Sequence, residues 1–434
     1  MQEIYTLLKR KNNPYILFFL LSILLYMPSS FFRFPFMPDE VRNLYIAKNI
    51  SNFYEFFIPK YIDEYYFEKP PFYFWILKIF LKIKFNYLIL PIFLNSISSF
   101  VIASLNYSFF KKYNEEEAFL SSIIILTTGL FYGLNLIVRM DILFITFIFL
   151  SFISFLKGNI ILSSVFTFLA TFTKGPLGLF ILVVNIFFAI FLKDKKIFLK
   201  SLLVLFLSLF LVFLWLFIFS KIEPRYFTIM FFRQTVSRAL NPFSHREPFY
   251  FYILWFFPAF FPWSFFFIRY FLNLKSNNLT ILEKVYIFWF LGGFILLSFI
   301  KSKLFIYLLI LIIPFSGLVS KFIISKKINI KNFLIIWIFI LIFFGLTIVP
   351  FISYNQEEYK ILKFIKSNKN LADIYTLEKK ILLLNFFLDK KIKLDKKEEI
   401  CNKKSILVIT KEDIPCAKKL TKIRKFSIFH KDDS

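Results

Sequence analysis

The sequence has few of the residues that build nucleotide and metal sites in soluble enzymes. It contains 9 glycines, 2 cysteines and 2 histidines among 434 residues. It carries no glycine-rich fingerprint, which argues against the common phosphate-binding loops. Cys401 and Cys416 have no neighbouring histidine, so they would make a poor zinc site. If the tail lies outside the cytoplasm they can form a disulfide; otherwise they remain two free thiols, and the sequence leaves both open.

Acidic residues are also scarce, with 27 Asp and Glu against 54 Lys and Arg, which gives a net charge of +27. In a soluble protein such a balance would indicate a nucleic-acid partner. Here much of the lysine lies in short connections between apolar runs, where it sets the orientation of membrane helices. We therefore expect a membrane as the partner and no nucleic acid.

Apolar residues dominate the chain, at 58% of the sequence with 69 phenylalanines. A membrane-spanning helix needs about 20 mostly apolar residues. The sequence predicts an all-α polytopic membrane protein with about eleven spans, placed at roughly 14–34, 87–110, 118–136, 140–156, 159–173, 175–192, 197–219, 249–268, 281–299, 304–320 and 331–352. The first run has no small-residue cleavage site, so we expect a retained span. Residues 72–84 are short and interrupted by lysines, which favours an interfacial helix in the first external loop.

The distribution of lysine predicts the orientation of the spans. With the N-terminus inside, lysine-rich connections such as 193–200 and 321–331 are cytoplasmic. The segments 39–69 and 223–247, and the tail, then lie outside. The composition changes after about residue 353, where 359–369 is helix-like and 405–410 is strand-like. We predict a transmembrane domain over 1–353 and a small extracytoplasmic α/β domain over 354–434.

The first external loop holds two charged clusters, Asp39-Glu40 with Arg42 and Glu68-Lys69 after Tyr66. Charged side chains beside a membrane span are costly to desolvate, so they usually mark a site. Carboxylates and cations together suit a reaction on a lipid phosphate, which needs a base and positive charge for the leaving group. The alternatives are a helix cap at Asp39 and an interfacial anchor at the second cluster.

Further charges stand at span ends and in a later external loop. Arg139 and Asp141 open one span, where a plain salt bridge is the alternative. Lys174 ends another, where snorkelling to the membrane surface is the alternative. The loop containing Arg246 is basic on the outer side, which requires an anionic partner. His245 in the same loop is either a surface residue or a metal ligand.

These motifs, together with Thr173-Lys174-Gly175 and Lys301-Ser302-Lys303 before Tyr307, follow the order seen in one family. The chain resembles the polyprenyl-phosphate-dependent membrane glycosyltransferases of the GT-C class, in particular the lipid A 4-amino-4-deoxy-L-arabinose transferases within the protein mannosyltransferase superfamily. The resemblance implies catalytic and ligand roles that can be assigned residue by residue. The resemblance implies that Asp39 and Asp141 are catalytic, that Arg42, Lys69 and Tyr307 surround the donor phosphate, and that Glu68 and His245 bind a divalent metal, zinc. Lys174 matches a lysine of the family's motifs. Beside these we expect Glu40 to be catalytic, and Tyr66, Lys174 and Arg246 to lie at the donor phosphate.

The function implied by this resemblance is transfer of a sugar from an undecaprenyl-phosphate donor to a cell-envelope acceptor, lipid A being the first expectation. The protein would lie in the bacterial inner membrane with its active site towards the periplasm. A protein O-mannosyltransferase-like or surface-glycan-modifying transferase is the alternative within the class. A lipid or solute transporter is the alternative from another class, although transporters place polar residues near the bilayer midplane and often show repeated halves. The sequence shows no repeat.

Overall fold

The computed structural model describes residues 13–62, 64–83, 86–237, 245–274, 279–368, 373–388, 391–403 and 405–431. Residues 238–244 of the basic external loop lie outside this described part. Most of the rest is helical, as predicted, with a small sheet near the C-terminus.

The apolar helices coincide with the predicted spans. Six of them are long and apolar enough to cross a membrane: Pro14–Phe31, Ile89–Phe110, Lys195–Ile222, Ile281–Phe299, Phe305–Ser325 and Lys331–Tyr354. Two bent pairs raise this number to as many as eight: Glu115–Thr127 with Gly129–Asn135, and Phe251–Phe260 with Ser264–Leu272. Three shorter apolar helices complete the set: Asp141–Leu156, Ile160–Lys174 and Pro176–Leu192. A polytopic helical protein is confirmed, whereas the count of eleven spans stays a prediction.

The two bent pairs meet at their breaks. The first pair bends by 56° and the second by 116°, and Gly129 donates its N–H to the Phe261 carbonyl across 2.8 Å. A Cβ on Gly129 would lie 3.2 Å from that same oxygen, so a side chain there would push the two breaks apart by a few tenths of an ångström. Phe261 precedes a proline and is extended, which ends the helix Phe251–Phe260 at this point. The predicted span 249–268 is therefore a sharply bent pair.

The first external loop forms three helices, Pro38–Asn49, Phe53–Phe57 and Phe72–Lys82, and a hairpin of β1 (Lys60–Tyr61) and β2 (Glu64–Tyr65). We call Pro38–Asn49 the first-loop helix. The helix Phe72–Lys82 packs on it. One side of the helix Phe72–Lys82 is buried, while Ile79 on its other side is 60% exposed. This amphipathic character fits the interfacial placement, which stays a prediction.

The second external segment forms Arg225–Phe227 and the π-helix Thr228–Ser237. It is joined to the first loop through Glu223, which accepts a hydrogen bond from the Tyr54 hydroxyl at 2.7 Å. Two charged segments that are far apart in sequence, both predicted to be external, therefore lie side by side.

The C-terminal part contains the helix Glu357–Ser367, the 3₁₀-helix Lys379–Phe386, the short helix Lys397–Ile400 and a five-stranded sheet. Its strands are β3 (Asp373–Thr376), β4 (Ile392–Leu394), β5 (Ile406–Thr410), β6 (Lys418–Ile423) and β7 (Phe426–Lys431). Their order is β4-β3-β5-β7-β6, with β4, β3 and β5 parallel and the other pairings antiparallel. The predicted α/β appendage is confirmed, and Cys401 and Cys416 form a disulfide within it.

The C-terminal part rests on the first external loop. Lys48 at the end of the first-loop helix donates to the Phe386 carbonyl at 2.8 Å, and Lys379 forms a salt bridge of 3.0 Å with Glu64. The domain boundary at residue 353 stays a prediction.

Candidate active site

Five charged side chains from three parts of the sequence form a continuous chain of salt bridges, which we call the ion chain. Asp39 binds Arg42 at 2.5 Å through one oxygen and Arg139 through the other. Arg139 also binds Asp141 through its Nε at 2.8 Å, and Asp141 binds Lys174 through its second oxygen. Each carboxylate thus lies between two cations. The structure brings together the first-loop helix, the start of Asp141–Leu156 and the end of Ile160–Lys174.

Asp39 does not cap its helix. The helix begins at Pro38 with Met37 as its N-cap, and Glu40 accepts the Met37 N–H at 3.3 Å. Both Asp39 oxygens are instead directed at arginines. The capping role, which the sequence left open as an explanation for Asp39, therefore belongs to Glu40.

The structure places Glu40 in the protein interior, away from the ion chain. It is fully buried and forms a two-pronged salt bridge with Arg33, at 2.6 and 3.1 Å. It also accepts the backbone N–H groups of Phe36 at 3.0 Å and Val138 at 2.9 Å. With both oxygens occupied by interior donors, Glu40 is placed to stabilise the loop, so we revise its predicted catalytic role.

Side chains also bind every backbone carbonyl of residues 135–138, the turn before Arg139. Asn95 donates to the carbonyls of residues 135 and 137, at 3.2 and 3.0 Å. Arg33 donates to that of residue 136 at 2.5 Å, and Asn43 to that of Val138 at 3.1 Å. A helix that ends inside a membrane protein leaves carbonyls that must find donors. Because Glu40 and Asn43 hold both polar groups of Val138, they fix Arg139 opposite Asp39.

Neighbouring groups raise the pKa values of the two arginines in the ion chain. Burial lowers the pKa of Arg139, but Asp141 and Asp39 outweigh it and raise that pKa above its ordinary value. For Arg42 burial likewise lowers the pKa, and Tyr66, Asp39 and Glu68 raise it overall. Both arginines therefore stay charged.

Predicted donor-phosphate residues lie at both ends of the ion chain. The Arg42 guanidinium lies 5.8 Å from the ring centroid of Tyr66, whose hydroxyl donates to Glu68 at 3.3 Å. At the other end, the Lys174 ammonium lies 5.2 Å from the ring centroid of Tyr307. The aromatic rings thus flank both terminal cations.

Two cavities open beside the ion chain. A small one of about 30 Å³ is lined by Asp39, Arg42, Lys69 and Lys174, among others. A larger one of about 170 Å³ is lined by Lys69, Lys174 and Tyr307. Lys69 and Lys174 line both, so they stand between the carboxylate of Asp39 and the space for a ligand. A mostly apolar cavity of about 80 Å³ adjoins the larger one and shares Gly175, Pro176, Met230 and Thr235 with it.

The predicted metal ligands do not form a complete set in the described residues. Glu68 lines the larger cavity and lies 3.9 Å from Arg42. His245 is exposed, and its backbone carbonyl accepts the N–H of Lys303 at 2.9 Å. Within the described part no group of three or more His, Cys, Asp or Glu is close enough to hold an ion. Because zinc takes four ligands, Glu68 and His245 supply half of a zinc site.

Arg246 is exposed beside His245 and pairs through its backbone with Ser302, which lines the larger cavity. Arg246 is not among the five residues of the ion chain. The predicted donor-phosphate role of Arg246 stays a prediction.

Sequence reasoning missed three contributors: Arg139 as a ligand of Asp39, and Arg33 and Asn43 as supports. A salt bridge between Arg139 and Asp141 was the alternative to a functional role, and the structure contains it. Its second bond spans 100 residues of sequence. An arginine directly before the first span residue was the only available signal, since a charge there is costly unless it is paired.

We predict that Asn43→Leu disturbs the turn 135–138. The substitution leaves the Val138 carbonyl without its side-chain donor, at a cost of about 1–3 kcal/mol. Hydrogen exchange of the peptide containing Val138 should accelerate. Asn106→Leu is the matched control, because Asn106 is equally buried and donates to Ser121 and Ser122 elsewhere in the bundle. Equal exchange at Val138 in both variants would contradict the assignment.

Comparisons with known proteins support the resemblance in sequence and in fold. No family model matches the chain. It is 25% identical over 272 residues to an undecaprenyl phosphate-alpha-4-amino-4-deoxy-L-arabinose arabinosyl transferase of Enterobacter sp. (strain 638), covering 58% of this chain and 49% of that protein. It is 30% identical over 378 residues to the transferase of the same name from Wigglesworthia glossinidia brevipalpis, covering 80% of this chain and 65% of that protein. The chain thus spans between about half and just under two thirds of these relatives.

The fold matches that of ArnT from Cupriavidus metallidurans in two crystal structures. The one bound to undecaprenyl phosphate has a TM-score of 0.74 at 13% identity and covers 96% of this chain and 97% of that one. The apo structure has a TM-score of 0.72 with the same coverage. The chain is therefore similar in sequence to the undecaprenyl phosphate-aminoarabinose transferases and has the fold of ArnT, as the order of its motifs predicts.

Proposed function

We propose that the protein is a membrane glycosyltransferase that moves a sugar from an undecaprenyl-phosphate donor to a cell-envelope acceptor, with lipid A as the favoured acceptor. The sequence relatives named for this activity support the donor class, and one of the similar structures holds undecaprenyl phosphate. The observation that carries the proposal is the pair Lys69 and Lys174, which line both the carboxylate cavity and the adjoining ligand cavity.

The arrangement suits the chemistry of a lipid-linked donor. Transfer breaks the bond between the sugar C1 and the phosphate oxygen, and the departing lipid phosphate gains negative charge. Lys69 and Arg42 are the cations we assign to that phosphate, because cations placed where charge develops stabilise the transition state. Tyr307 is assigned to it as a hydroxyl that can donate a hydrogen bond. The apolar cavity next to them fits the start of a polyprenyl chain.

We assign Asp39 to the acceptor side of the reaction, where it acts on the hydroxyl group that attacks C1. As a general base, Asp39 would take the proton of that hydroxyl. If the acceptor group is a phosphate, Asp39 would orient the phosphate instead. In the structure both Asp39 oxygens bind arginines. A donor phosphate that draws Arg42 towards itself would release one Asp39 oxygen for the acceptor, which makes base activation follow donor binding. Asp141 keeps Arg139 and Lys174 in place.

The alternative functions predict different positions for the charged residues or different acceptors. A transporter would place its charges near the bilayer midplane, on discontinuous helices and often in two repeated halves. The sequence shows no such repeat, and the charges Asp141 and Lys174 stand at the ends of helices that we expect to meet the outer membrane surface. A protein O-mannosyltransferase-like or surface-glycan-modifying enzyme would use the same donor chemistry, so a transfer assay with several acceptors separates these readings.

We predict that Asp39→Asn lowers turnover by about 10²–10⁴, the usual contribution of general-base catalysis. Donor binding should change little, because Arg42 and Lys69 remain. The measurement is sugar transfer from the lipid-linked donor by purified protein in detergent. Asp194→Asn is the matched control, since Asp194 is a true helix cap that accepts two backbone N–H groups, and asparagine caps about equally well. Near wild-type transfer by Asp39→Asn would remove this residue from the mechanism.

We also propose that the site and the C-terminal part face the periplasm across the inner membrane. The described part of the chain has no free cysteine, so an introduced thiol can be labelled selectively. Asn52→Cys, on the exposed first loop, should react with an impermeant reagent added from the periplasmic side. Lys196→Cys, in the lysine-rich connection, should react only after the membrane is opened. Labelling in the reverse pattern would overturn the orientation.

Zinc at Glu68 and His245 is a separate proposal, which requires the donor phosphate or water to complete the ligand set. Purified protein should then retain zinc better with undecaprenyl phosphate present than without it. His245→Ala should abolish this difference. His430→Ala, which replaces the second histidine of the sequence, on β7, should not. Metal analysis of the three proteins tests this, and identical zinc content in all samples would count against a site.

A further inference from the structure

A large open cavity of about 880 Å³ lies apart from the ion chain. It is lined by the ends of membrane helices, the end of the first-loop helix and the C-terminal part. Its lining includes Phe31, Tyr87 and Tyr354. Phe31 ends the first spanning helix, Tyr87 precedes the second by two residues, and Tyr354 ends the last. The cavity therefore opens where three helices leave the membrane, at the level of lipid headgroups.

The charged residues that line the cavity are all positive. Lys48, Lys363, Lys366 and Arg33 line it, and no acidic residue is among the described residues that do. Arg33 is bound to Glu40 and Lys48 to the Phe386 carbonyl. Lys363 and Lys366 are exposed on one side of the helix Glu357–Ser367 and form no salt bridge in the described part. Two cations are thus available to an anion in the cavity.

Aromatic rings line the same cavity as these lysines. Tyr87 packs against Phe386 and Phe387 with ring centroids 5.4 Å apart in each case. Phe34 packs between Phe387 at 4.7 Å and Tyr359 at 5.2 Å. Tyrosine and phenylalanine at this depth are typical of the membrane–water interface, where one end of a ligand is apolar and the other is hydrated.

We propose that this cavity binds the headgroup of an anionic, phosphorylated lipid taken from the surrounding membrane. The lysines bind the phosphate, the rings contact the glycerol or sugar part, and the acyl chains leave between the ends of the three helices. Basic pockets between membrane helices are suited to such headgroups, and the volume lies within the range of ligand sites. The bound lipid joins the C-terminal part to the membrane domain. This proposal does not depend on the proposed transfer reaction.

Titration of the purified full-length protein with defined lipids tests the proposal, with bound lipid counted by native mass spectrometry. Phosphatidylglycerol should bind more tightly than phosphatidylcholine of the same chain length. Because each lysine near an anionic headgroup contributes about 1 kcal/mol, the double variant Lys363→Ala/Lys366→Ala should weaken phosphatidylglycerol binding about 30-fold. Its affinity for phosphatidylcholine should stay unchanged.

The matched control is Lys418→Ala/Lys422→Ala, which removes the same charge from exposed positions on β6 and should change binding less than about twofold. A phosphorylated glucosamine lipid competing with phosphatidylglycerol would extend the site to glycolipid headgroups, and its failure to compete would restrict it to phospholipids. Displacement of the lipid by millimolar inorganic phosphate would overturn the lipid assignment. Equal loss of binding in the two double variants would overturn the site.

Discussion

The buried salt bridge between Arg33 and Glu40 is the contact on which the geometry of the outer face depends. Arg33 follows the first spanning helix, and Glu40 lies in the first turn of the first-loop helix. Together they also bind the turn 135–138. Removing one partner from such a buried pair costs about 3–5 kcal/mol, because the other charge is left without compensation. The pair therefore fixes the entry of the first loop, the position of Asp39 and the backbone before Arg139.

The ion chain has an excess of positive charge that matches the proposed reaction. Its three cations and two carboxylates carry a net charge of +1, and Lys69 adds another at the cavity. A lipid-linked sugar donor carries one negative charge on its phosphodiester, whereas the departing monoester approaches two. A fixed positive site thus binds the transition state more strongly than the donor, which is the requirement for catalysis rather than mere binding.

The sequence predicted the helical membrane fold, the α/β tail and the gathering of charges on one face, because these follow from composition and periodicity. It did not distinguish Asp39 from Glu40. Adjacent residues on a helix point about 100° apart, so one reaches the cavity and the other the interior, and only the packing decides which. Arg139 and Asn43 were missed as supports because their partners lie about 100 residues away in the sequence. The bends at Gly129 and Phe261 were missed because each stabilises the other through a tertiary hydrogen bond.

The Arg33–Glu40 pair also separates two regions of the outer face. Arg33 lines the large cavity, and Glu40 is the chain neighbour of Asp39 in the small one. Among the described residues none lines both cavities. Four hydrogen bonds already engage the Arg33 guanidinium, so it acts as a closed wall. For the proposed reaction we therefore expect the reactants to reach Asp39 from the side of Lys69, Lys174 and Tyr307, which line the larger cavity beside the ion chain.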